Sequence, residues 1–235
     1  MIPLRDENPS RHTPWMMWLL LAGNLAMFVY QIQIRAAGGD DAYVELFFRL
    51  GLIPEALTSP GVWTSMPVPA PLTLFSSMFV HGDFFHLAGN MLYLWIFGDN
   101  VEDVMGPFRF LAFYLLCGLG AAATQVAIMP ASDVPMVGAS GAIAGILGAY
   151  ALLYPRARVL TLVFLLIFVR IMYLPAVVLL GIWFLMQLLS AGSSAGAGVA
   201  WWAHIGGFVV GVVLVRALAA RLPTRTIQAK YRRWG

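Results

Sequence analysis

Apolar residues run along almost the whole chain in long stretches that short polar segments separate. A helix rises about 1.5 Å per residue, so about 20 apolar residues cross a hydrocarbon core ~30 Å thick. Six stretches are read as membrane helices: Trp15–Ile34, Phe84–Phe97, Phe108–Ile128, Ser140–Tyr154, Tyr173–Leu189 and Gly196–Val215. The pattern therefore predicts an all-α, polytopic membrane protein that folds as a bundle of six transmembrane helices.

Two further apolar segments have less regular patterns. Val159–Ile171 contains Arg170 near its end and is soon followed by Pro175, which is typical of an interfacial or half-buried entry to the fifth span. The alternative is a seventh crossing of the membrane.

The long outer loop 35–83 contains a second such segment, Tyr43–Leu57. Its pattern predicts either a helix partly embedded in the interface or a small apolar layer over the spans.

Basic residues are distributed unevenly between the two sides that six crossings create. All of them except Arg35 and Arg49 fall on the side of the two termini, and a seventh crossing would break this asymmetry. Since positive loops stay inside, both termini are expected to be cytoplasmic, in a cell (inner) membrane. We therefore predict a cytoplasmic tail over residues 1–14, a membrane domain over 15–218 and a basic cytoplasmic tail over 219–235.

The amino-acid composition indicates that the chain is surrounded by lipid and does not bind nucleic acid. Hydrophobic residues make up 60% of the 235 residues and charged residues 11%, whereas soluble domains carry roughly 25% charged residues. The net charge of +3 arises from residues beside the spans, and no basic patch interleaved with aromatic residues suggests nucleic acid. The single cysteine, Cys117, lies in an apolar stretch, which excludes an intrachain disulfide and a thiolate metal site. The lipid bilayer is thus the expected surrounding.

Polar side chains inside predicted spans are the candidates for function, because an unpartnered polar group in hydrocarbon costs on the order of several kcal/mol. His86 and Asn90 are spaced i, i+4 in the second span and so share one helical face. Ser140 begins the fourth span, and His204 lies in the sixth. His81 immediately precedes the second span.

The depth of these residues can be compared from span lengths. Ser140–Tyr154 is about 22 Å long as a helix, which is too short for a ~30 Å core, so its outer end is recessed by roughly 8 Å. Ser140 is then expected at about the depth of His86, Asn90 and His204. Non-helical backbone before Ser140 is tolerated at that depth only beside protein or water, so a water-filled outer pocket is predicted.

The residue types in this pocket predict nucleophilic catalysis. A serine hydroxyl needs a base, and His204 is the histidine in the later spans that can take its proton. Asn90, His86 and the free amides at the start of the Ser140 helix can donate to an oxyanion. No HExxH motif and no carboxylate at mid-span are present, so a Ser140–His204 dyad is expected, with no metal and no cofactor.

Small residues explain how the two dyad helices approach each other. Gly207 and Gly211 follow His204 on one face of its helix, and Gly141 lies next to Ser140. Small residues at such spacing let membrane helices pack closely, so these three glycines are expected to have structural roles near the site.

Three motifs together resemble the rhomboid proteases, and the resemblance covers roughly Pro71 to Arg216. They are the run HGDFFHLAGN from His81 to Asn90, the run GASG from Gly138 to Gly141, and Ala203-His204 followed by Gly207 and Gly211. The resemblance implies a six-helix core that cleaves transmembrane segments of other proteins, with Ser140 as nucleophile and His204 as general base.

The resemblance also assigns the residues around the dyad. It implies oxyanion roles for His86, Asn90 and the Ser140 backbone, groups Gly138 with this oxyanion and binding site, and gives His81 a structural role. Some rhomboids carry an aromatic residue four positions after the serine, where this chain has Ala144. The way in which His204 is held is therefore expected to differ.

Two other functions remain open from the sequence. A rhomboid-like pseudoenzyme would bind membrane clients without cleaving them, but such proteins usually lack the serine or the histidine. A channel or small-solute transporter would need polar residues that continue inward and an inverted repeat, and neither is evident. Hydrolysis of peptide bonds in or near the transmembrane segments of substrate proteins is the favoured prediction.

Overall fold

The computed structural model of the protein describes residues 1–59, 61, 67–165, 168–192 and 199–219, and within them the chain is predominantly helical. The helices are α1 (Trp15–Leu50), α2 (Pro54–Thr58), α3 (Ala70–Ser76), α4 (Phe84–Met105), α5 (Pro107–Ile128), α6 (Ser140–Leu153), α7 (Ala176–Ala191) and α8 (Trp201–Leu218). The strands are β1 (Ile2–Asp6), β2 (Arg158–Leu165) and β3 (Phe168–Pro175). The predicted start of the last span at Gly196, and all but Ala219 of the predicted basic tail, lie outside the described residues.

Helix length and composition support a multi-pass membrane fold. Of the described helices, α1, α5 and α8 are long and apolar enough to cross a membrane. Two shorter apolar helices, α6 and α7, lie between α5 and α8 in the chain. Helix α4 contains the predicted second span and continues beyond it to Met105.

The first helix is longer than the predicted first span. It continues from Trp15 to Leu50, with a break at Gly39, where φ is 75° and ψ is −167°. Glycine tolerates this positive φ because it has no Cβ, so the chain changes direction there without steric strain. The predicted outer loop from residue 35 therefore begins inside a helix. Of the predicted segment Tyr43–Leu57, residues 43–50 form the end of α1 and residues 54–57 lie in α2.

Helix α6 is the centre of the bundle. Eleven of its 14 residues are buried, as expected for a helix that is apolar on every side. Its most extensive contacts are with α8, which also packs against α5. A Cβ atom on Gly207 or Gly211 would overlap the backbone carbonyl oxygen of Gly141 or Gly145, respectively. Glycine on both helices is what permits this close approach.

The prediction of an all-α fold was wrong in one region, because the structure contains a three-stranded antiparallel sheet in the order β1-β2-β3. Val159–Ile171, predicted as an interfacial entry or a seventh crossing, contains most of β2 and the first half of β3, and these strands pair with Arg158 opposite Pro175. Short apolar runs rich in β-branched and aromatic residues fit a strand as well as a helix. The pairing of β1, from the predicted tail, with β2 is a long-range contact that no local pattern indicates.

The N-terminal segment, residues 2–17, is fixed to the bundle by side chains of α4 and α6. Glu102 accepts hydrogen bonds from the backbone N–H groups of Met16 and Met17 at 3.0 and 2.7 Å, which caps the start of α1. The Tyr150 hydroxyl of α6 donates to an Asp6 carboxylate oxygen at 2.5 Å. The Glu102 bonds thus join α4 to the start of α1, and the Tyr150 bond connects β1 of the sheet to the end of α6 that is opposite Ser140.

The Asp6 contact predicts a pH dependence of stability. Burial raises the pKa of Asp6 to about 7, the nearby Asp99 carboxylate raises it further, and the Tyr150 hydrogen bond opposes the rise. The folded protein thus holds this proton more tightly than the unfolded chain, so stability falls as pH rises from about 4 to about 7. We expect Asp6→Asn to reduce this loss, measured as melting temperature in detergent at pH 5 and pH 8.

The control for this prediction is Asp41→Asn, because Asp41 is exposed in the second part of α1. It should retain the pH dependence of the wild type. An unchanged pH dependence in Asp6→Asn would show that the Asp6 carboxyl does not contribute to it.

Candidate functional site

The structure brings Ser140 and His204 into direct contact. Ser140 is the first residue of α6, and His204 lies in the first turn of α8. The Ser140 Oγ and His204 Nε2 atoms are 2.8 Å apart, although the residues are separated by 64 positions in the chain. The close glycine contact between α6 and α8 makes this distance possible.

The other side of the His204 ring faces α7. Its Nδ1 atom lies 2.8 Å from the Oε1 atom of Gln187. The Trp183 ring lies 6.1 Å from the His204 ring, centroid to centroid, and the Trp201 ring lies 6.0 Å away at 89°. The position four residues after the serine, Ala144, is fully buried. Position 144 of α6 therefore provides no aromatic ring to pack on His204. Gln187 and Trp183 of α7 and Trp201 of α8 contact its imidazole instead.

His86, Asn90 and Gly138 line the same cavity as the dyad. The Asp83 carboxylate caps α4 by accepting from the His86 backbone N–H at 2.9 Å. The His86 Nδ1 atom accepts from the Gly82 N–H at 3.3 Å, so the ring proton of neutral His86 is on Nε2. That atom faces Gly138, where a Cβ would lie 2.7 Å from it.

The amide of Asn90 is an unused donor. Its side chain is buried, and its Nδ2 atom has no hydrogen-bond partner among the described residues. Leaving a buried donor unpaired typically costs about 1–3 kcal/mol. Such a group is instead satisfied when an acceptor enters the cavity, and a developing oxyanion is a strong acceptor.

The cavity has a volume of about 670 Å³ and is lined by both dyad residues, the three residues above, and side chains of α7 and the turn before α8. The first backbone amides of α6 have no partners within the helix, and they carry the positive end of its dipole. The cavity thus combines a hydroxyl bonded to an imidazole with donors for negative charge. This combination suits acyl transfer through an oxyanion.

His81 lies behind the site and is fully buried. Its ring Nδ1 is 3.1 Å from the Phe79 carbonyl oxygen, and its ring centroid is 5.2 Å from that of His86. Gln31 of α1 binds the His81 backbone on both sides, since Oε1 accepts from its N–H at 3.0 Å and Nε2 donates to its carbonyl at 2.8 Å. These bonds fix the chain just before α4 begins.

Comparison with known proteins identifies the family of this fold and site. The family model described as Rhomboid domain matches residues 69–221, which is more than half of the chain. The chain belongs to the rhomboid family. Both dyad residues and all three cavity residues lie within the matched part of this rhomboid, whereas Gln31 precedes it.

Curated relatives of this rhomboid come from several organisms. It is 30% identical over 159 residues to "Rhomboid protein 1, mitochondrial" of Saccharomyces cerevisiae, covering 62% of the chain and 41% of that relative. It is 33% identical over 136 residues to "Rhomboid protease GluP" of Bacillus subtilis, covering 58% of the chain and 24% of the relative. "RHOMBOID-like protein 5" of Arabidopsis thaliana is 29% identical over 160 residues, with 60% and 52% covered. The matched region spans about half or less of each relative's length.

The sequence analysis of this rhomboid did not predict two residues of the site. Gln187, which contacts His204, and Gln31, which holds His81, are both amides inside apolar helices. A polar amide is costly to bury in hydrocarbon, and this is the reason why Asn90 was chosen as a candidate. The same reasoning applies to Gln187 and Gln31 and could have predicted them. Trp183 carried no such signal, because a tryptophan in a membrane helix is ordinary.

Gly138→Ala is expected to disrupt the oxyanion side of the cavity. The backbone at Gly138 has φ of 118°, which is strained for any residue with a Cβ, and the new methyl group would meet His86 Nε2. For a cavity that binds an oxyanion, the expected effect is that of losing one donor, which is a fall of roughly 100-fold or more in the rate of hydrolysis.

The control for Gly138→Ala is Gly89→Ala, because a Cβ at Gly89 would meet nothing within 4 Å. The assay is cleavage of a transmembrane substrate in detergent. If Gly138→Ala cleaved at the rate of the wild type, the claim that His86 Nε2 donates a hydrogen bond to an oxyanion beside Gly138 would be contradicted.

Proposed function

We propose that this rhomboid is an intramembrane serine endopeptidase that hydrolyses peptide bonds in or near transmembrane segments of other membrane proteins. The observation that carries the proposal is the 2.8 Å contact between Ser140 Oγ and His204 Nε2 at the edge of a cavity that contains the unpaired Asn90 amide. Membership of the family supports it, since the relatives include a protein named as a rhomboid protease.

In the proposed mechanism, His204 acts as general base and then as general acid. Its Nε2 atom takes the proton of the Ser140 hydroxyl as Oγ attacks the carbonyl carbon of the scissile peptide bond. The tetrahedral intermediate collapses when His204 returns the proton to the leaving nitrogen, which leaves an acyl-enzyme on Ser140. Water, deprotonated by His204, then hydrolyses this ester and frees Ser140.

The carbonyl oxygen becomes negatively charged in the first step and needs donors. The proposed donors are Asn90 Nδ2, the Nε2–H of His86 and the first backbone amides of α6. A preorganised donor in a low-dielectric cavity costs little reorganisation when charge develops, and each one typically contributes about 100- to 1,000-fold in rate. All of these groups belong to the protein, so the proposal requires no cofactor.

The proposal includes the topology that the sequence suggested. Six crossings, made by α1, α4, α5, α6, α7 and α8, place both termini on one side, and the excess of basic residues there favours the cytoplasmic side of a cell membrane. In this arrangement the cavity lies toward the outer face, and substrates reach it laterally or from that side.

The test is cleavage in proteoliposomes. The purified protein is mixed with a substrate that has one transmembrane helix containing a helix-destabilising residue, and mass spectrometry maps any new termini. The proposal expects two fragments with a new N-terminus in or near the transmembrane segment, at the outer side. Stable binding of the substrate without cleavage by a well-folded protein would instead support the client-binding alternative.

A further inference from the structure

We infer that Gln187 is the third, positioning member of the catalytic group, which holds the proton of neutral His204 on Nδ1 so that Nε2 is free to act as base. The inference rests on the proposed protease function. It revises the sequence expectation of a two-residue dyad, which followed from the lack of a mid-span carboxylate. An amide oxygen takes the place that a carboxylate occupies in other serine hydrolases.

The orientation of the Gln187 amide determines which atom faces His204. Its Nε2 atom donates to the Trp183 carbonyl oxygen at 3.0 Å, one helical turn earlier in α7. A carbonyl oxygen can only accept, so the amide nitrogen must be on that side, and Oε1 is the atom 2.8 Å from His204 Nδ1. The backbone of α7 thereby fixes the amide against a flip.

The amide orientation in turn determines the tautomer of His204. Because Oε1 can only accept, the bond requires a proton on Nδ1, and in the neutral ring Nε2 then has a lone pair. That lone pair faces the Ser140 hydroxyl at 2.8 Å. With the other tautomer, Nε2 would carry the proton and could not accept the proton of Ser140. The chain of bonds from Trp183 through Gln187 and His204 to Ser140 therefore has a single direction.

The surroundings of His204 support the choice of Gln187 over other partners. Among the described residues, the side chains that make hydrogen-bond or ring contacts with its imidazole are those of Ser140, Gln187, Trp183 and Trp201. Neither tryptophan can accept a hydrogen bond through its ring nitrogen. Gln187 itself is 5% exposed, and its amide oxygen already lies at hydrogen-bond distance from Nδ1. The side-chain amide is thus the acceptor available to Nδ1.

The test compares Gln187→Met with the wild type in two measurements. Methionine has nearly the same length and suits an apolar helix, but it lacks an amide oxygen. In protein labelled with ¹⁵N-histidine, the His204 signals are assigned by their absence in His204→Ala. We expect the His204 proton on Nδ1 in the wild type and shared between both ring nitrogens in Gln187→Met.

The second measurement is steady-state cleavage of a transmembrane substrate. We expect kcat to fall roughly 10- to 100-fold in Gln187→Met, because a fraction of His204 has the wrong tautomer and orientation, with KM little changed. Gln125→Met is the matched control, since Gln125 is also a buried glutamine in a membrane helix, but its amide bonds to Met129, the residue that follows α5. It should keep the wild-type rate.

The two measurements separate failure of the inference from failure of the proposed function. A wild-type His204 with its proton on Nε2, or a Gln187→Met protein with unchanged kcat, would overturn the positioning role. A wild type that never cleaves a substrate would overturn the protease function, while the position of the His204 proton would still be read from the ¹⁵N signals.

Discussion

Replacing Ser140 with alanine is expected to lower the rate of substrate cleavage by at least about 1,000-fold, and His204→Ala should have a similar effect. Both atoms of the 2.8 Å contact are required, because the hydroxyl forms the acyl-enzyme and the imidazole moves its proton. The double variant should be little worse than either single variant, since the two residues act as one unit. Initial rates in proteoliposomes measure all three.

The matched control is Ser132→Ala, which removes a hydroxyl from a half-buried serine in the connection between α5 and α6, outside the cavity. It should cleave at the wild-type rate. All variants should melt within a few degrees of the wild type, because α6 and α8 meet mainly through their glycine faces, and the dyad adds a single hydrogen bond to that contact. Substantial cleavage by Ser140→Ala would mean that another residue is the nucleophile.

Gly207→Ala is expected to have the second large effect, on stability and activity together. The new methyl group would overlap the Gly141 carbonyl oxygen, which belongs to the backbone of a rigid helix and cannot rotate away. Overpacking of this kind typically costs roughly 1–3 kcal/mol or more. Relief requires α8 to move away from α6, which would also lengthen the distance between His204 and Ser140. We therefore expect a lower melting temperature and slower cleavage.

Gly181→Ala in α7 is the control for this prediction. Nothing lies within 4 Å of a Cβ at Gly181, so alanine should be tolerated there and should favour the helix slightly. Equal melting temperatures for Gly207→Ala and Gly181→Ala would contradict a close contact between α6 and α8.

The sequence predicted which residues lie together in the site, because an unpartnered polar side chain inside a membrane span is costly and few such side chains are present. The short fourth span predicted a recessed Ser140, at the depth expected for His86, Asn90 and His204. The structure places these four residues around one cavity, while their depth in the membrane and their catalytic roles stay predictions. A soluble protein gives no such depth scale, because its polar residues are free to lie anywhere on the surface.

Other features did not follow from the sequence, for identifiable reasons. The β2–β3 hairpin arises from an apolar run that fits strand and helix equally well, and its pairing with β1 depends on residues more than 150 positions away. The role of Gln187 depends on the rotation of α7 about its own axis, which an apolar helix without strong periodicity does not reveal. The apolar pattern did not predict the extension of α1 past Ile34, because Arg35, Asp40 and Asp41 interrupt the apolar run there.

The catalytic pairing of Ser140 with His204 can be tested directly by the reaction of the folded protein with a fluorophosphonate, which a nucleophilic serine attacks with loss of fluoride. Peptide mapping by mass spectrometry then locates the phosphonyl ester. We expect one adduct, on Ser140, in the wild type and almost none in His204→Ala under the same conditions. An adduct on a different residue, or equal labelling of Ser140 without His204, would contradict the claim that these two residues form the catalytic centre.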